Sequence, residues 1–343
     1  MRRSNHFGLV VAAILIFILP VCVHAAAPFY EGKTVRIVVG FTAGGGYDLY
    51  ARAIGRHLGK HIPGKPAVIV ENMPGAGSLI SANYLSKVAK PDGLTIGHFN
   101  GGLFFSQATG MPGIEFDARK FEYIGTATTG GCVALLTKAS GITSPEKWLA
   151  SKRPLKLGGV VVGAYAPDNV IRILKEALRL PIQHVSGFKG IADIRLATEG
   201  GDLDGTFGAW FGVRVSWRKV LEAGDIVIPM QAVAKPFPDL PNVPLAINLA
   251  KTEEARQLIR VGIHIPAGFA FPFVLSPGVP KDRVQMMRKA FQETLKDNEF
   301  LAEVEKAKMG IDAMTGEELE GVVHEIFKTD PGLLAKLKDI TLK

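Results

Sequence analysis

Short apolar runs rich in β-branched residues alternate along this chain with longer stretches in which apolar positions recur every three or four residues. Residues 34–41 (TVRIVVGF), 67–70 (AVIV) and 94–99 (LTIGHF) are runs of the first kind, each closed by Gly, Asn or Pro. Between them, residues 47–60 place Ala51, Ile54 and Leu58 on one helical face, and residues 78–89 read as a second helix. Strands apolar at consecutive positions and separated by helices predict a parallel sheet covered on both faces.

The middle of the chain keeps the rhythm. Strands are expected at 132–137, 155–162, 182–185, 205–209 and 226–233. Ser144-Pro145 supplies a capping hydroxyl and a first-turn proline for one helix, and Asp168 is placed to cap another that runs to Leu178. The Pro-rich stretch 235–244 (KPFPDLPNVP) must be a loop. A strand at 269–275 follows, then the turn Pro277-Gly278-Val279-Pro280 and a helix with Val284, Met287, Phe291 and Leu295 on one face. Thr315 and Glu318 have capping-box spacing ahead of Leu319, Val322, Val323 and Ile326. A length of 343 residues predicts about two domains.

Composition narrows the class. With 47% hydrophobic and 21% charged residues the chain is too apolar to be disordered, and its net charge of +8 is scattered, with no Lys/Arg block of the kind that binds nucleic acid. Arg2 and Arg3, the apolar stretch 8–23 and the small-residue site Val23-His24-Ala25 have the layout of a secretory signal, read as residues 1–25 with cleavage after Ala25. An uncleaved anchor is the alternative, but the apolar core is short for a membrane span. Cleavage removes Cys22 and leaves Cys132 alone, so no internal disulfide is expected.

Most chemical motifs are missing. There is no phosphate-binding G-x-x-x-x-G-K-[ST] loop and no G-x-S-x-G elbow. His57 and His61 are four apart, but the Glu of a H-E-x-x-H motif is missing and an exposed helix end is expected; Asp202 and Asp204 lack the rest of a calcium loop and read as a turn before a strand. His98, His184 and His264 stand singly on apolar segments and read as satisfied core histidines. No metal or cofactor is expected. What stands out is glycine at the ends of predicted strands: Phe41-Thr42-Ala43-Gly44-Gly45-Gly46-Tyr47-Asp48, Asn72-Met73-Pro74-Gly75-Ala76-Gly77, Asn100-Gly101-Gly102 and Gly163-Ala164-Tyr165. Such turns can aim several N–H groups at one anion, or can be ordinary strand–helix turns. In open α/β sheets ligands lie beyond the carboxyl ends of strands, so four such turns together point to a shared cleft.

The segments VRIVVGFTAGGGYDLYAR, VIVENMPGAGS, AKPDGLTIGHFNGG, HVSGFKGIADIRLATEGGDLDG, KPFPDLPNVP and LSPGVPKDRV resemble, in order, the signatures of the substrate-binding proteins of tripartite tricarboxylate transporters, the Bug-type periplasmic receptors. The resemblance implies a type II periplasmic-binding-protein fold, two α/β lobes with a ligand cleft between them. The first lobe would comprise 26–130 and 266–343, and the second 131–265. It implies a monomeric, non-enzymatic periplasmic receptor that captures a carboxylate-bearing organic acid and hands it to membrane transporter subunits. By position it assigns ligand binding to Thr42, Gly44, Gly45, Gly46, Tyr47, Ala76, Gly77, Asn100, Gly163, Ala164, Tyr165, Phe188, Gly208 and Ala209, and to Asp48 as the residue that orders the first loop. Gly40 and Ala43 stand where the family has prolines, and Tyr47 where a small residue is common. Tyr47, Tyr165, Phe188, Trp210 and Phe211 predict an aromatic cleft suited to a monocarboxylate or aromatic acid, unless these rings are core. A sensor for a membrane histidine kinase would share the same pocket, and a secreted hydrolase on a similar scaffold would need a catalytic set that no motif supplies.

Overall fold

A computed structural model describes residues 28–160, 165–188 and 190–342. The leader at 1–25 and the turn residues Gly163 and Ala164 lie outside the described residues. The chain begins with β1 (Thr34–Val39), α1 (Gly46–Leu58), β2 (Ala67–Asn72), α2 (Leu79–Lys87), β3 (Thr95–His98), α3 (Gly102–Ala108) and β4 (Glu122–Thr126). It continues through β5 (Cys132–Thr137), α4 (Pro145–Leu149), β6 (Leu155–Gly158), α5 (Val170–Leu178), β7 (Ile182–Val185), α6 (Ile191–Glu199) and β8 (Gly205–Ala209). Next come α7 (Trp210–Ser216), α8 (Arg218–Glu222), β9 (Ile226–Val227), β10 (Gln231–Ala232), α9 (Glu253–Ile259) and α10 (Ile265–Gly268). It closes with β11 (Phe273–Leu275), α11 (Lys281–Lys296), α12 (Asn298–Lys306), β12 (Met314–Thr315), α13 (Gly316–Ile326) and α14 (Pro331–Leu342).

Two sheets result. The first has the order β12-β4-β11-β3-β1-β2, the second β10-β5-β8-β6-β7 with β9 also on β5. In the first, β1 runs parallel to both neighbours, and Val39 pairs with Asn72 on one side and His98 on the other. The turns after β1, β2 and β3 therefore leave the sheet at one edge. In the second, Gly158 of β6 pairs with Val185 of β7, and Cys132 pairs antiparallel with Ala209, so those strand ends also share an edge. All four residues of β3 and the first five of β5 are buried, as expected of strands covered on both faces. The first sheet takes strands from 34–126 and 273–315, the second from 132–232.

Helix α1 buries the face read from sequence, Ala51, Ile54 and Leu58, against β1 and β2, and α11 packs on its other side. Removal of a fully buried ring such as Phe207 or Phe291 would cost about 3–5 kcal/mol. Two connections join the halves side by side. Gly130 N–H donates to Ala267 O at 2.8 Å, and the Thr126 hydroxyl donates to Phe271 O at 2.9 Å. The last helix, α14, packs against α5 and α9 through the buried Leu337.

The expected capping box at Thr315 and Glu318 forms in both directions, and the Ser144 cap also forms. Three expectations change. The strand at 226–233 is two short strands, because Pro229 has no N–H to continue the ladder. The strand at 269–275 shortens to β11, since Phe269–Pro272 belong to the connection between sheets and Pro272 cannot pair. Asp168 lies inside a π-turn, Tyr165–Asn169, where its carboxylate accepts from Val160 N–H at 2.7 Å and reaches across to β7. Among the described residues no helix is long and apolar enough to cross a membrane.

Candidate ligand-binding cavity

A cavity of about 580 Å³ lies where the strand ends of the two sheets face each other. From the first sheet come Phe41, Tyr47, Ala76, Gly77 and Asn100, on the turns after β1, β2 and β3. Leu103 and Ser106 project from α3. The second sheet supplies Val160, Tyr165, Phe207, Gly208 and Ala209, with Ile191 on α6; the return connection adds Ala270 and Phe271. A more open groove of about 720 Å³ runs between α9 and the α13–α14 turn, but it is lined mainly by charges such as Glu254, Arg260, Lys328 and Lys336 and joins no strand ends.

The two tyrosines present rings, with their hydroxyls turned away. Tyr47 OH donates to Ala270 O at 2.8 Å, and its ring lies between Phe41 and Phe271 at centroid distances of 4.4 and 4.5 Å. Tyr165 OH donates to Ile263 O at 3.1 Å. Burial raises both phenols well above their ordinary value, so both stay neutral. Among the described lining residues there is no Lys, Arg, Asp, Glu or His.

The polar complement comes from turns. Gly75, Ala76, Gly77 and Ser78 have φ of +140°, +46°, +62° and +78°, a left-handed run that includes two residues with side chains. Such backbone persists only where its surroundings enforce it. Here the Ser78 hydroxyl accepts from Asn100 N–H at 3.2 Å, tying this turn to the end of β3. Asn100 Oδ1 accepts from Gly102 N–H at 2.9 Å, which leaves the Asn100 amide NH₂ as a donor at the cavity. Ser106 donates to Gly102 O at 3.2 Å.

Of the residues assigned by resemblance, Tyr47, Ala76, Gly77, Asn100, Tyr165, Gly208 and Ala209 meet at this cavity. Thr42, Gly44, Gly45, Gly46, Asp48 and Phe188 do not line it. Thr42, Gly44 and Gly45 are exposed at the rim, and a Cβ at Gly46 would sit 3.6 Å from the Phe211 ring on the opposite half. Asp48 orders the loop: it accepts from Gly44 N–H, Arg52 Nε and Asn72 Nδ2, each at 2.9 Å. Burial raises its carboxyl pKa, but these hydrogen bonds outweigh burial and hold it at about 2. The positive φ belongs to Gly44 (+87°), while Gly45 has an ordinary φ of −83°. Phe188 only donates its N–H to Gly159 O at the edge of the second sheet. Trp210 and Phe211 serve packing: Trp210 Nε1 donates to Asp239, and Phe211 lies edge-on to Tyr50 and Phe271.

Sequence reasoning missed Leu103, Ser106, Phe207, Ala270 and Phe271. The run Gly102-Leu103-Phe104-Phe105-Ser106 follows the third glycine turn and was the available sign of α3. Ala270 and Phe271 reach the cavity only through the return of the chain from the second half, which no local pattern encodes.

Other side-chain groups lie off the cavity. His184 Nε2 is 3.0 Å from Asp168 Oδ1, and the Ser186 hydroxyl lies 3.0 Å from the same oxygen and 3.2 Å from the same nitrogen. Ser and Asp meet one face of the imidazole, whereas a proton relay needs one on each ring nitrogen. His98 is buried; Nδ1 meets Pro272 O at 2.9 Å, the ring stacks on Phe273, and Nε2 has no partner, so it is only half satisfied. Burial lowers its pKa to about 4. His57 and His61 are not an exposed helix end: they pack against Asp297 and, for His57, Glu303 on the adjoining helix α12. His57, Asp297 and Glu299 could hold a cation, but Lys60 Nζ already lies 2.8 Å from both carboxylates. Cys132 is buried and free.

No model of a protein family matches the chain. The UPF0065 protein in gbd 5'region from Cupriavidus necator is 24% identical over 345 residues, covering 98% of each chain. Among solved structures, a TctC solute-binding protein from Polaromonas aligns with a TM-score of 0.67 at 17% identity, over 91% of this chain and 98% of that one. The periplasmic binding protein BugD aligns at 0.65 and 20% identity, over 92% and 99%. An R. palustris protein solved with adipate aligns at 0.67 and 20% identity, over 90% and 98%. The chain has the two-lobed fold of the periplasmic binding proteins. The resemblance to Bug-type receptors read from the sequence is borne out, and in this fold the cavity occupies the cleft between lobes.

Proposed function

We propose that this protein is a periplasmic receptor that captures a carboxylate-bearing organic acid and passes it, chemically unchanged, to the membrane subunits of a tripartite tricarboxylate-type transporter. One observation carries the reading: turns from the strand ends of both sheets enclose a cavity lined by the left-handed turn at Ala76 and Gly77 and by Asn100, whose amide NH₂ can donate. The described lining residues include no nucleophile paired with a base, which fits binding without turnover. The lobes are assigned as 26–130 with 266–343, and 131–265 between them. Ala76, Gly77, Asn100, Gly208 and Ala209 are assigned to the ligand's polar end, and Tyr47 and Tyr165 to its body. Export is assigned to residues 1–25. Calorimetry on the purified secreted protein with a panel of organic acids, followed by mass spectrometry of the recovered solute, tests this. Saturable binding with the acid recovered intact is expected; an altered acid would overturn the reading.

A further inference from the structure

We infer that the acid is a monocarboxylate with a bulky apolar body, aromatic or branched, and that the cleft rejects small dicarboxylates and tricarboxylates. This rests on the receptor reading above and names its solute class. Binding a second carboxylate inside the cleft would require a second set of donors. Beyond the turn at Ala76 and Gly77, Asn100 and the Gly208–Ala209 backbone, all assigned to the acid's one polar end, the described lining residues carry no charged side chain. The three hydroxyls among the described lining residues are used: Tyr47 OH donates to Ala270 O, Tyr165 OH to Ile263 O and Ser106 OH to Gly102 O. The neutral tyrosine rings, with Leu103, Phe207 and Phe271, form apolar walls, and among the described lining residues there is no cationic side chain. A carboxylate buried against ring faces loses its water and gains no partner, a penalty that removes affinity by orders of magnitude. The same walls reward apolar area, and about 580 Å³ fits a ring with substituents. Tyr47 and Tyr165 thus determine specificity by having no free donor.

Thermal-shift and calorimetric titration of the secreted protein with phenylacetate, benzoate and octanoate, against malate, adipate and citrate, tests the inference, with phenylacetamide as the neutral control. At least one apolar monocarboxylate is expected to bind tenfold or more tighter than every dicarboxylate and tricarboxylate, and tenfold or more tighter than the amide. If adipate, malate or citrate binds as tightly as the apolar acids, the solute class is wrong while the receptor reading stands. If no acid in the panel binds, or the amide binds as well as the acid, the receptor reading itself fails.

Discussion

Two glycine-rich turns leave the same edge of the first sheet, after β1 and after β2, and they differ in where their polar groups point. In the turn at 41–48, the Asp48 carboxylate accepts from Gly44 N–H and from the side chains of Arg52 and Asn72, so its polar groups face each other. What it shows the cavity is the Phe41 and Tyr47 rings. In the turn at 75–78, side chains are small and the backbone is held left-handed, so Ala76 and Gly77 expose peptide groups at the cavity. Glycine content alone does not make a binding loop. The deciding quantity is how many donors remain after the loop has satisfied itself.

That contrast can be broken by substitution. The largest effect is expected from Gly77→Val. A β-branched residue at φ +62° forces the turn to rearrange and removes its donors from the cavity. Strain and lost charge-assisted hydrogen bonds together predict an affinity loss worth about 4 kcal/mol in calorimetry. Unchanged affinity in a folded variant would take the second turn out of the site.

His98 ends β3, beside Val39, the last residue of β1 before the first turn. Its folded pKa of about 4 lies below the ordinary 6.5, so its share of stability is complete above pH 6.5 and is lost as pH falls toward 4. The loss is on the order of 3 kcal/mol. His264, lowered to about 4 by burial and Arg260, acts in the same direction. Urea melts across this window should show the fall, and a His98→Asn protein should show a shallower one; an identical profile would contradict the assignment.

Asp48→Asn should weaken the first turn by about 2 kcal/mol in chemical denaturation, because a buried carboxylate with three donors becomes an uncharged amide whose oxygen can keep Gly44 N–H and Arg52 Nε but whose NH₂ then meets the Asn72 amide NH₂. The same carboxylate, held at about 2 against an ordinary 3.8, supports stability above pH 3.8 and loses that support as pH falls toward 2. Acid affinity is expected to change by less than about threefold, since Asp48 does not reach the cavity. A tenfold loss of affinity without loss of stability would restore the first turn as the binding loop.

The smallest effect sharpens the point. Gly45 has φ −83° and ψ 172°, ordinary extended backbone, and a Cβ there would meet only Thr42 O at 3.9 Å. Gly45→Val should therefore shift stability by no more than about 0.5 kcal/mol and leave binding intact. The sequence pattern does not distinguish this position, because three successive glycines do not reveal which one carries the positive φ.

Much of the fold was legible because burial on both faces leaves a simple trace. Strands β5, β7 and β8 were bounded to the residue by their apolar runs, and α1, read at 47–60 from its three-residue face, runs Gly46–Leu58. Strand β4, Glu122–Thr126, was not seen: Gly125 interrupts its apolar run, and its antiparallel partner, β11, lies some 150 residues away in the chain. The site was half legible. Turn chemistry placed Ala76, Gly77 and Asn100, because small residues and Asn at strand ends are a local signal. Phe207 and Phe271 could not be placed, since any strand or connection in the core carries such rings, and only the meeting of the two sheets turns them toward the cavity.

The most direct test is a crystal structure of the protein with 4-bromophenylacetate, located by the anomalous signal of bromine. The carboxylate should lie within hydrogen-bonding distance of Ala76 N, Gly77 N or Asn100 Nδ2, with the bromine among Leu103, Phe207 and Phe271. A carboxylate held at Gly44–Gly46, or bromine outside the space between the sheets, would contradict the account.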